Sequence, residues 1–171
     1  MGSIKKITEK FQCEGSYRTY MKYGNGQVNE TWLVTTSHEL YILRMLNNKL
    51  LPNIPHIISN TVIVSNKLKE KNVCSLNFIK ALNGDFYIID DEGNYLFMSV
   101  YFKGSVTTLQ TRNKRMAYET GRVLGQFHAA CIDLPVKKIH NTLPDHYKID
   151  AKLNTVNKMV EKNQKKIDVK L

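Results

Sequence analysis

Residues 23–46 read YGNGQVNETWLVTTSHELYILRML, a glycine-bearing loop followed by two extended segments joined by Ser37-His38. Together with SYRTYMKY (16–23), the segments TWLVTT (31–36) and ELYILRML (39–46) are rich in β-branched and aromatic residues and predict three successive strands. Gly24 and Gly26, with Asn25, Gln27, Val28 and Asn29, occupy the first connection. Glycine permits positive φ and close backbone approach, so such a loop turns a hairpin and can also aim amide N–H groups at an anion. A Gly-x-Gly pair alone leaves both readings open. In the third segment, alternation places Leu40, Ile42, Arg44 and Leu46 on one face and Tyr41, Leu43 and Met45 on the other. An arginine among apolar neighbours is the first hint of chemistry.

Working outward, the breaker-rich NNKLLPNIP (47–55) leads into PHIISNTVIVSNKLKEKN (55–72). Pro55 near the first turn, apolar residues at Ile57 or Ile58, Thr61, Val64 or Ser65, and Leu68, and lysines at the far end predict a helix. LNFIKAL (76–82) and FYII (86–89) flank Asn83-Gly84-Asp85, a hairpin signal, and DDEG (90–93) turns into NYLFMSVYF (94–102). The expectation is an α+β fold: a five-stranded antiparallel sheet with one helix inserted after the third strand. A helix over 113–132 follows, with Met116, Thr120, Val123 or Leu124, Phe127 and Cys131 at helical spacing, closed by Leu134-Pro135. A last helix from about residue 145 carries a narrow apolar seam, Ile149, Leu153, Val156 and Val160, among lysines.

The chain has 171 residues, 42% of them hydrophobic, which is enough to bury a core and argues against disorder. A net charge of +10 favours anionic partners such as nucleotides or phosphorylated metabolites. Much of the excess lies in KIDAKLNTVNKMVEKNQKKIDVK (148–170), where the plain reading is a solvated helix face. No aromatic-interleaved basic strand supports a nucleic-acid partner. Cys13, Cys74 and Cys131 are scattered without a CxxC, so neither a zinc site nor a disulfide framework is suggested. No apolar run approaches the ~18 residues of a bilayer span, no membrane partner is expected, and the cytoplasm is the default location.

The order of glycine loop, basic strand end, helix, further strands and a segment ending in glycine is that of a kinase N-lobe. Here YGNGQVNETWLVTTSHELYILRMLNNKLLPNIPHIISN resembles the N-terminal part of the aminoglycoside phosphotransferase and choline kinase superfamily, most of all its N-acetylhexosamine 1-kinase type. The likeness continues through Asn83-Gly84-Asp85, the turn ending at Gly93, NYLFMSVYFKGS, GRVLGQFHAACIDLP and HNTLPDHY. The resemblance implies an ATP-binding N-lobe over residues 1–104 and a linker with the first C-lobe helices over 105–171. Gly24, Asn25, Gly26, Gln27, Val28 and Asn29 would form the nucleotide loop, and Arg44 would stand for the lysine that holds the phosphates. Val100, Tyr101 and Phe102, with Lys103, would form the hinge, and Ile42 and Met98 the apolar walls of the adenine pocket. The helix offers Ser59, Asn60 and Thr61 where the family has a glutamate to hold that lysine, with Glu70 far away. An asparagine or serine hydrogen bond to Arg44 is the expected substitute.

The family's catalytic His-Gly-Asp loop and metal-binding aspartate find no match: none of His38, His56, His128, His140 or His146 opens a His-x-Asp. No catalytic residue and no metal ligand is therefore assigned in this chain, although the family uses ATP and Mg²⁺. Members of such families run to roughly twice this length, as two-lobed enzymes. The expectation is the N-terminal, ATP-binding part of a phosphotransferase acting on a small-molecule hydroxyl, such as a sugar or amino alcohol. Its orphaned seam of Ile149, Leu153, Val156 and Val160 would then be a surface for self-association. The alternative is a catalytically inactive, kinase-derived module that binds a nucleotide or a protein.

Overall fold

A computed structural model describes residues 3–24, 26, 29–105, 108, 110–143 and 148–167. Two compact units divide the chain, Met1–His140 and Asn141–Leu171. The first contains helix α1 (Ile4–Thr8), strands β1 (Tyr17–Lys22), β2 (Glu30–Thr36) and β3 (Leu40–Leu46), and helix α2 (Ile54–Glu70). Strands β4 (Phe78–Ile79), β5 (Ile88–Ile89) and β6 (Tyr95–Val100) and helix α3 (Lys114–Cys131) complete its regular elements, with a 3-10 turn at Val136–Lys138. The second unit contains helix α4 (Ile149–Ile167).

All pairings in the sheet are antiparallel, in the order β1-β2-β3-β6-β4, with β5 also on β6. The sheet is thus five places wide, and two short strands share the last place. Phe78 lies opposite Ser99 and Ile88 opposite Leu96, so β4 and β5 run end to end along β6. The Asn83-Gly84-Asp85 turn consequently does not close a hairpin, contrary to its sequence signal. Its segment loops out instead, where Ala81 bridges Phe11 and Leu82 N–H donates to Lys10 C=O at 2.8 Å. The following turn is a true hairpin, organised by buried Asp90. One of its carboxylate oxygens accepts from the amides of Glu92 and Asn94, and the other from the Asn94 side chain.

Period-2 alternation gives the sheet two unequal faces. On one, Val34, Leu43, Leu96 and Met98 are fully buried, with Trp32, Tyr41 and Ile88, under Ile4 and Ile7 of α1 and Phe11. Burying each such side chain contributes about 1.5–3 kcal/mol. The chain reaches this face through Gly15, held at φ +80°, where a Cβ would lie 2.5 Å from Ser37 Oγ. On the other face Leu46, Phe97 and Tyr95 meet Ile54, Ile58 and Val62 of α2. The buried stripe of α2 runs Ile58, Val62, Ser65, Leu68, so Val62 rather than Thr61 or Val64 carries the packing.

Helix α3 begins at Asn113, whose side chain accepts from Met116 N–H at 2.9 Å. Of its residues only Ala130 is buried; Tyr118, Val123 and Leu124 are more than half exposed. Two ion pairs join its end to α2: Asp133 lies 3.0 Å from Lys67 and 3.1 Å from Lys71. Helix α4 leaves Ile149, Leu153, Val156 and Val160 exposed. Among the described residues no helix is long and apolar enough to cross a membrane.

Two outcomes test this account. Replacing Leu96 by alanine should lower unfolding free energy by about 2–5 kcal/mol in urea titration, because the surrounding sheet and α1 collapse only partly onto the cavity. Hydrogen bonds from Lys67 and Lys71 hold the Asp133 carboxyl below its ordinary 3.8, and Asp133 holds the Lys67 ammonium above its ordinary 10.5. The pair's contribution is complete from just above pH 3.8 and is lost as pH falls through the depressed value, or rises through the raised one. The stability difference between the wild type and Asp133→Asn should therefore be flat near neutrality and, on acidification, shrink only below pH 3.8. A difference already falling at pH 6 would contradict the assignment.

Candidate functional site

The incompletely covered face of the sheet opens into a cleft of about 250 Å³. Ile42 and Arg44 reach it from β3, and Phe97 and Ser99 from β6. Tyr23 borders it from the end of β1, Leu76 from the segment before β4, and Val100, Tyr101, Phe102 and Ser105 from the segment leaving the sheet. Register explains the selection: Ile42 pairs with Ser99 and Arg44 with Phe97, and cross-strand partners share a face. Met98 pairs with Leu43 and points the other way. It is fully buried on the α1 side, where the Cys13 thiol donates to its sulfur at 3.1 Å, so the expectation that Met98 walls the cleft is corrected. Burial pushes that Cys13 thiol up to about 11, leaving it an inert thiol in the core.

Arg44 is the cleft's cation. It is half-buried, its guanidinium lies 5.8 Å from the centroid of the Phe97 ring, and burial pushes its pKa below the ordinary value. Among the described residues no carboxylate pairs with it. The expected hydrogen bond from the helix is not made by Asn60. Its side chain donates to His140 C=O at 2.8 Å and accepts from His140 N–H at 2.9 Å, while His56 and His140 stack at 3.9 Å. Ser59 borders a separate hollow with Pro55 and Phe86. Behind Arg44 a smaller cavity of about 140 Å³ separates the sheet from Ile57, Ile58 and Thr61 of α2.

The segment leaving β6 is fixed from both sides. Val100 N–H donates to Asn77 C=O and Tyr101 N–H to Leu40 C=O, each at 2.8 Å. Lys103 is held by Glu39 at 3.0 Å, and the hydrogen bond from the Leu40 amide, followed by that from Lys103, keeps the Glu39 carboxyl below its usual range. Among the described residues the Phe102 amide has no acceptor within the chain. Tyr23 and Tyr101 meet at the cleft with ring centroids 5.8 Å apart and nearly perpendicular planes.

Of the sequence-derived residues, Ile42, Arg44, Val100, Tyr101 and Phe102 come together here. Gly24, Gly26 and Asn29 do not line the cleft; Asn25, Gln27 and Val28 lie outside the described residues. Gly24 has φ +76°, a conformation that favours glycine, and Asn29 Oδ1 accepts from Asn47 N–H at 3.1 Å, tying the loop's base to the end of β3. Tyr23, Leu76, Phe97, Ser99 and Ser105 were missed. Phe97 and Ser99 were accessible to alternation once β3 and β6 were put in register. Leu76 was not, because it precedes a strand of only two residues. Among the described residues no three His, Cys, Asp or Glu side chains gather to hold a metal, and no carboxylate lines the cleft, so its lining offers Mg²⁺ no carboxylate ligand.

No family model matches the chain. Among solved structures it is similar to the crystal structure of spectinomycin phosphotransferase APH(9)-Ia in complex with ADP and spectinomycin, with a TM-score of 0.57 and 12% identity. The match covers 79% of this chain and 39% of that one, so the chain spans well under half the length of the protein it resembles. The likeness is one of fold: an antiparallel kinase-like N-lobe sheet with an inserted helix, followed by further helices.

Proposed function

We propose that this chain is the nucleotide-binding part of an ATP-dependent small-molecule phosphotransferase of the aminoglycoside phosphotransferase and choline kinase superfamily. One observation carries the reading: a half-buried arginine without a carboxylate partner among the described residues, at a cleft otherwise lined largely by apolar and aromatic side chains. A buried, uncompensated charge costs stability, and an entering anion relieves that cost. The guanidinium fork matches the geometry of phosphate oxygens. The ADP bound by the similar phosphotransferase supports a nucleotide as the source of that anion.

In this reading Ile42, Leu76 and Phe97 exclude water from the base and Arg44 holds the phosphates. Residues 1–104 act as the N-lobe and 105–171 begin the C-lobe. Mg²⁺, when bound with the nucleotide, would neutralise phosphate charge. The general base and the metal ligands are not assigned to this chain. The acceptor is a small-molecule hydroxyl, with the 1-hydroxyl of an N-acetylhexosamine as the finer proposal, in the cytoplasm. A catalytically inactive, kinase-derived nucleotide- or protein-binding module is the second reading, and it would use the same cleft.

Calorimetric titration with ATP·Mg²⁺, GTP·Mg²⁺ and inorganic tripolyphosphate tests the cleft. Arg44→Ala should weaken all three by about 10- to 100-fold, the worth of a charge-assisted hydrogen bond to phosphate. Arg44→Met should unfold at the same temperature as the wild type or higher, because the side chain is retained against its own desolvation cost. Unchanged binding in Arg44→Ala, or a Tm several degrees lower in Arg44→Met, would make Arg44 a structural residue and sink the proposal.

A further inference from the structure

Phe97 is fixed by its own surroundings before any contact with Arg44 is counted. Its ring meets Phe78 of β4 with centroids 5.8 Å apart and planes tilted by 42°. On the helix side it packs against the cluster of Leu46, Ile54, Ile58 and Val62. Arg44 is its cross-strand partner on β3, and the guanidinium carbon lies 5.8 Å from the ring centroid, within reach of a cation–π contact. Among the described residues no carboxylate and no hydrogen-bond acceptor holds that guanidinium. An arginine stem loses much rotamer freedom when it is ordered, and its five N–H donors form a rigid fork that binds phosphate well in one orientation. Some neighbour has to select that orientation. A carboxylate would do so while neutralising the charge and occupying donors, whereas an aromatic face attracts the cation and leaves it uncompensated.

Resting on the nucleotide reading above, we infer that Phe97 is a positioning residue: its ring selects the orientation in which the Arg44 guanidinium meets phosphate oxygens, a task that no acidic side chain of α2 performs here. The order of fixation runs from Phe78 and the α2 cluster to the Phe97 ring, and from the ring to the cation.

The test is calorimetric titration of the whole chain with ATP·Mg²⁺ and with inorganic tripolyphosphate, which carries phosphates but no base. Phe97→Leu should weaken tripolyphosphate by about 2- to 30-fold, the worth of a cation–π contact, and ATP at least as much. In an Arg44→Ala background the same change should weaken tripolyphosphate no further, a non-additivity that lost strand packing alone does not produce. Phe97→Tyr keeps a ring and should recover most of the loss. Phe97→Met, whose flexible side chain fills irregular gaps, is the ringless variant to read if Phe97→Leu does not fold. Unchanged tripolyphosphate binding in the ringless variant, with Arg44→Ala still weakening it, would overturn the inference and leave the nucleotide reading standing. So would an equal loss with and without Arg44, or a loss in Phe97→Tyr as large as that in the ringless variant. If the wild type binds neither ligand, or Arg44→Ala changes neither, the nucleotide reading fails and this inference falls with it.

Discussion

The alternation of β3 is the constraint on which the rest depends. Tyr41 and Leu43 point into a face already filled by Val34, Leu96, Met98 and the residues of α1. That face is saturated, so the sheet is held from one side. The opposite face is then free to be incomplete: α2 covers it at Leu46, and beyond that cover Ile42 and Arg44 border a cleft. A one-residue slip of β3 would exchange the two sets and place a guanidinium in the α1-side core. The same register that builds the core therefore positions the cation.

Much of this was legible because it is local. Strands β1, β2, β3 and β6 and the helices α2 and α3 are continuous patterns of the right period, and Asn113 announces its helix as a cap. What failed was pairing. Asn83-Gly84-Asp85 is a good turn, but β4 and β5 each find β6 rather than one another, a choice made by tertiary packing against Phe11 and Lys10. Met98 failed for the related reason that face assignment on β6 requires its register against β3. Val100 shows how fine the distinction is: its side chain packs toward the α1-side core, yet at the strand's end it also borders the cleft.

The polar residues of α2 show why Arg44 lacks an internal partner there. Asn60 and His56 hold His140, and Lys67 and Lys71 hold Asp133, so the helix spends its polar contacts on the chain that follows α3. Nothing acidic stands on its early turns. A lysine at position 44 would be poorly served by this arrangement, since an ammonium without a carboxylate loses its proton readily as it is buried. Arginine resists that loss, because its pKa starts so high that the lowering caused by burial leaves it charged. Its flat guanidinium also obtains orientation from the face of Phe97 at 5.8 Å, which a point charge on a flexible stem uses less well. An arginine at position 44 and a helix without an early carboxylate are thus compatible with one another. An aromatic ring on the neighbouring strand orients the cation, and among the described residues no carboxylate compensates its charge.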